Sequence, residues 1–123
     1  MRIDAVADRA MIAQLHGGRV RGPWVRLLSA VLHLAGPQAE LVRHTEKPWA
    51  SVTFSGARHF ITLTFSGIAA SDAADNFIAA LPDHEFTIPR QLVADATIAS
   101  VDQQMLPHPR VSVVAELLLL EED

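Results

Sequence analysis

The stretch Arg110-Val111-Ser112-Val113-Val114-Ala115-Glu116-Leu117-Leu118-Leu119-Leu120 decides how this chain must fold. Successive side chains of an extended strand point to opposite faces. Val111, Val113, Ala115, Leu117 and Leu119 therefore form one apolar row, and Val114, Leu118 and Leu120 form a second on the reverse. A strand apolar on both sides belongs inside a sheet and needs cover above and below. Helices can supply one cover. The other is expected from the sheet of a second subunit or from a further layer of the same chain.

Outward from that strand, Pro107-His108-Pro109 separates it from a preceding strand over 92–102, and Pro89-Arg90 separates that strand from a short one over 85–88. Upstream, Ser71 reads as the cap of a helix with Asp72 and Asp75 in its first turn, where the helix dipole favours negative charge. Ala74, Phe77, Ile78 and Leu81 form its apolar stripe, and Pro82 closes it. Ile61, Leu63 and Phe65 alternate with Thr62 and Thr64, while Ala50, Val52 and Phe54 alternate with Ser51, Thr53 and Ser55. Both runs predict strands joined by a hairpin turn at Ser55-Gly56-Ala57-Arg58, with a weaker strand before them from 39 to 46. The clearest helix starts at Pro23, a residue suited to the first helical position. It carries Trp24, Leu27, Leu28, Val31, Leu32 and Ala35 at three-and-four spacing before Gly36-Pro37. A first helix over 3–16, with Asp4 as cap and Gly17-Gly18 as its end, completes the order ααβββαβββ.

The expected architecture is α+β: two layers, a largely antiparallel sheet of five or six strands, and helices packed on one face. No linker or low-complexity tract divides the 123 residues, so 1–123 reads as a single domain. Half of the residues are apolar and a fifth are charged, which excludes intrinsic disorder and leaves apolar surface for a partner subunit. A homo-oligomer, first of all a dimer, is the expected assembly. The longest apolar helical stretch is too short to span a bilayer and is broken by Arg26, Ser29 and His33; no secretory signal opens the chain, so a cytoplasmic protein is expected. Residues 1–60 hold 8 Lys+Arg and 4 Asp+Glu, whereas residues 61–123 hold 2 and 10. Basic surface opposed by so much acid argues against a nucleic-acid binder.

Chemistry is sparsely marked. The chain has no cysteine and none of the glycine-rich nucleotide loops, zinc-protease helices or nucleophile elbows that identify common enzymes. Two constellations remain. In His16-Gly17-Gly18-Arg19-Val20-Arg21-Gly22-Pro23, the guanidinium groups of Arg19 and Arg21 precede a helix start, where an anion such as phosphate or carboxylate could be held. The plainer account has both arginines solvated or paired with the acidic half of the chain. The second constellation is His44 and Glu46 on one strand face, His59 at the start of the next strand and His84 at the start of another. Imidazoles with a carboxylate suit a divalent metal or acid–base work, although histidines at strand ends are commonly solvated. Trp24 and Trp49 read as packing residues, and Asp95, Thr97 and Asp102 as exposed polar groups. The leading expectation is a self-associating binding or structural module. The alternatives are a small-molecule enzyme or metal-binding protein using the His/Glu set, and a subunit of a hetero-complex. No cofactor follows from the residues.

Overall fold

The structure, a computed structural model, describes residues 23–122. The expected helix over 3–16 and the candidate anion site at Arg19 and Arg21 lie outside the described residues. Helix α1 spans Pro23–Ala35, strand β1 Ala39–Ala50, β2 Ser55–Ser66, helix α2 Ala70–Ala80, β3 Gln91–Gln104 and β4 Arg110–Glu121, with a 3-10 turn at Leu81–Asp83. All neighbouring strands pair antiparallel in the order β1-β2-β4-β3. β4, apolar on both rows, is an interior strand.

The expected five- or six-stranded sheet with helices packed on one face is overturned: the described residues form two helices and a mostly-strand, four-stranded antiparallel sheet. Two local causes account for the lost strands. Residues 50–54 alternate like a strand, but the Ser51 N–H donates to the Phe54 carbonyl at 2.8 Å and the Phe54 N–H donates to Ser51 Oγ at 3.1 Å. Those short-range bonds outcompete a ladder and close the turn at Ser51–Phe54, ahead of its expected place. The segments around it then merge into two twelve-residue strands. Residues 85–88 also alternate, with Ile88 buried, yet their one bridge is Ile88 to Gln91. Pro89 has no N–H to give, and Arg90, at φ 66°, turns the chain so that the Gln91 N–H reaches the Ile88 carbonyl at 3.0 Å.

The helix ends follow similar local rules. Gly36, at φ 94°, ends α1 and donates its N–H to the Leu32 carbonyl at 3.0 Å. α2 begins one residue before Ser71 and has no side-chain cap. A turn through Gly67, at φ 100°, lets the Ala70 N–H reach the Gly67 carbonyl at 3.1 Å, so backbone replaces the expected hydroxyl. Ser71 Oγ instead accepts from Gln103 Nε2 at 3.3 Å.

One cluster of buried side chains joins Leu27, Leu28, Val31 and Ala35 of α1 and Ala70, Ala74 and Phe77 of α2 to the inner rows of the sheet. Those rows are Ile61, Leu63 and Phe65 on β2 and Val111, Val113, Ala115, Leu117 and Leu119 on β4. On the reverse face Leu118 and Leu120 are buried, while the Arg58 guanidinium meets Glu116 at 2.7 Å and the Lys47 ammonium lies 5.8 Å from the Phe60 ring centre. Long basic side chains laid along that face shield part of its apolar surface. Both edge strands are irregular, with one extra residue at Val42 in β1 and two in β3, at Ala94 and Ala99. Bulges of this kind blunt a sheet edge against strand-on-strand pairing.

Candidate functional site

The bulge at Val42 decides which β1 side chains face inward. Before it, Leu41 pairs with Leu63 on the core side; after it, His44 pairs with Ile61 and Glu46 with His59. A regular strand would have turned Arg43 and Thr45 inward. The extra residue reverses the alternation and sets His44 beside His59.

His44 Nε2 and His59 Nδ1 lie 2.9 Å apart, with ring planes inclined by 8° and centres 5.1 Å apart. The nitrogens can approach so closely across that separation only if both lie on the line joining the ring centres. The imidazoles therefore meet edge to edge in one plane rather than face to face. The Trp24 indole, from the first turn of α1, stacks on His44 at 5.3 Å and 19°. His59 is only 2 % exposed. Loss of hydration lowers the pKa of both histidines to about 4; at His44 the neighbouring His59 lowers it further and Glu46 raises it. Both rings are neutral at pH 7, one donating N–H and the other accepting at its lone pair.

Next to the pair, a cleft of about 440 Å³ is lined by Trp24, Glu46, Pro48, His59, Gln91 and Glu121 among others. Of the proposed His/Glu set, the fold brings together His44, Glu46 and His59. His84 stands apart beyond the 3-10 turn, its ring edge-on to Phe86 at 4.5 Å. Among the described residues no group of three or more His, Cys, Asp or Glu side chains is arranged to hold a metal ion. The facing nitrogens lie on the line joining the ring centres and are hydrogen-bonded to each other, so they are directed at one another rather than at a common metal position.

A second kind of site appears at the two ends of the sheet. At the end holding the β1–β2 turn, Phe54 is 49 % exposed and Leu92 46 %. They line a cleft of about 350 Å³ with Leu120, Glu121 and Glu122. At the opposite end, the tip of the β3–β4 hairpin carries Met105 at 60 % and Leu106 at 79 % exposure. Every residue from 99 to 110 is exposed there, and the Leu106–Pro107 bond is cis. Sequence reasoning passed over these residues. The available signal was the pair Met105-Leu106 set between Gln103-Gln104 and Pro107-His108-Pro109, two large apolar residues in a turn otherwise built of polar residues and prolines. It also assigned Trp24 to simple packing, because nothing in the helix period shows a histidine beneath it.

Among the described residues no helix is long and apolar enough to cross a membrane. No protein-family model and no curated protein matches the chain. Among solved structures, a chain of the "Virion of native gene transfer agent (GTA) particle" superimposes with a TM-score of 0.57 at 17% sequence identity, over 80% of this chain and 91% of that one. The likeness is one of fold, and it covers nearly the whole of the virion chain.

Proposed function

We propose that the chain is a structural subunit of a virion-like particle and acts by associating with copies of itself. The observation that carries this reading is where the large exposed apolar side chains lie. They gather at two ends of a sheet whose edges are bulged and whose reverse face is dressed with charge, so they form discrete contact points rather than scattered exposure. The most elaborate polar group, the His44–His59 pair, spends its facing nitrogens within the protein. The virion chain with the same fold supports the particle context. Light scattering on the purified full chain over a range of concentrations tests the reading. Masses at multiples of 13.4 kDa are expected, and 13.4 kDa throughout would contradict it.

A second reading rests on the 440 Å³ cleft, a volume within the range of small-ligand sites. An aromatic wall at Trp24 with Glu46 and Glu121 nearby suits a small organic cation. Thermal stabilisation by putrescine that disappears in Glu46→Gln would favour it; no stabilisation of the native chain would end it.

A further inference from the structure

The geometry points to a head-to-tail contact between copies of this chain, in which the Met105-Leu106 hairpin tip of one seats in the Phe54/Leu92/Leu120 cleft of the next. This inference rests on the self-association proposed above and specifies its surface.

The two features lie at opposite ends of one strand. β4 leaves the hairpin at Arg110, paired with Ser66 and Gln104, and reaches the cleft at Leu120, paired with Gly56 and Leu92. Twelve residues of strand separate knob from cleft by roughly 35–40 Å. A molecule cannot fill its own cleft with its own tip across that span, so a tip seated there belongs to another copy.

Shape and charge agree. The tip is narrow, two large apolar side chains on a projecting turn. The cleft, at about 350 Å³, is of a size to take one or two large apolar side chains. Glu121 and Glu122 line the cleft, and Arg110 flanks the tip. Two groups of opposite sign qualify this complementarity. Arg90, whose carbonyl accepts from the Glu122 N–H at 2.9 Å, lies just outside the cleft lining, and Asp102 lies on β3 back from the tip, opposite Ser112. The groups nearest the apolar contacts remain acid at the cleft and base at the tip, an arrangement that fixes orientation and disfavours cleft-to-cleft pairing. Because tip and cleft are different surfaces, a head-to-tail pair joined by one such contact keeps one free tip and one free cleft. The contact propagates, giving a ring if the rotation closes and a filament if it does not.

The absence of cysteine makes the test direct. Phe54→Cys and Leu106→Cys, both at exposed positions, are made separately in the full chain, checked for an unchanged melting temperature, mixed and oxidised. The expected product is the mixed dimer of the two variants, with loss of that product when Glu121 and Glu122 are both replaced by Lys in the Phe54→Cys partner. Leu106→Cys dimers with itself, Phe54→Cys dimers with itself, or no cross-link while the native chain remains oligomeric would each overturn the head-to-tail contact. A native chain that is monomeric at every concentration would instead overturn the proposed function on which it rests. An oligomer whose tip cross-links only to a different protein would place a hetero-partner in the cleft and overturn the inference.

Discussion

Acid should weaken this fold through the histidine pair, and the size of the effect follows from the structure. The folded pKa of His59 is lowered from 6.5 to about 4 by burial. As pH falls below 6.5, the unfolded chain takes up a proton that the folded chain refuses, so stability is complete above that value and is lost progressively down to about pH 4. At about pH 5 the loss from His59 alone comes to about 2 kcal/mol. His44 is lowered to about 4 as well, but it is less deeply buried than His59 and sits beside Glu46, so solvent screening and the carboxylate reduce its share. The two rings titrate as a unit, and the comparison is best made by replacing both. Urea unfolding followed by tryptophan fluorescence, at about pH 7.5 and about pH 5, should show the native chain losing about 2–3 kcal/mol more than His44→Leu/His59→Leu over that interval. Ordinary carboxylates titrate in both proteins and cancel in the difference. Equal losses in the two proteins would refute the buried neutral pair.

Three further outcomes are expected. Gly56→Ala should cost on the order of 3 kcal/mol or more, or prevent folding, because a Cβ there would strike the Leu119 carbonyl oxygen and come within 2.9 Å of Leu120 Cα, and backbone cannot step aside; thermal unfolding measures it. Phe77→Ala should lower stability by about 3–5 kcal/mol, since the ring is buried and packs 5.9 Å from Phe65, and a chevron or urea midpoint reads the change. Arg58→Ala should cost only about 0.5–1 kcal/mol at low salt and less at high salt, because its 2.7 Å pair with Glu116 lies on the solvent-facing side of the sheet.

The parts legible in the sequence were those set by local period. The helix from Pro23 to Ala35 and the doubly apolar strand ending in Leu117–Leu120 are written in spacing alone, and they stand where the spacing puts them. What misled was alternation without a partner: 50–54 and 85–88 carry strand-like sequences, but a serine hydroxyl in the first and the Pro89-Arg90 turn after the second give their backbones shorter-range bonds. Strand count depends on who pairs with whom, and period does not encode that. The histidines show the same limit. Their residue types were visible, but their meeting depends on the bulge at Val42, which leaves no compositional mark in Leu41-Val42-Arg43. The apolar ends were legible in principle at Met105-Leu106. They were overlooked because a turn invites attention to its prolines rather than to what it exposes.

Native mass spectrometry of the untagged full chain tests the central claim most directly, since it counts subunits and retains any tightly held ligand. The account predicts a series of bare masses at multiples of 13.4 kDa. A single species at one subunit, unchanged as concentration rises, would contradict it.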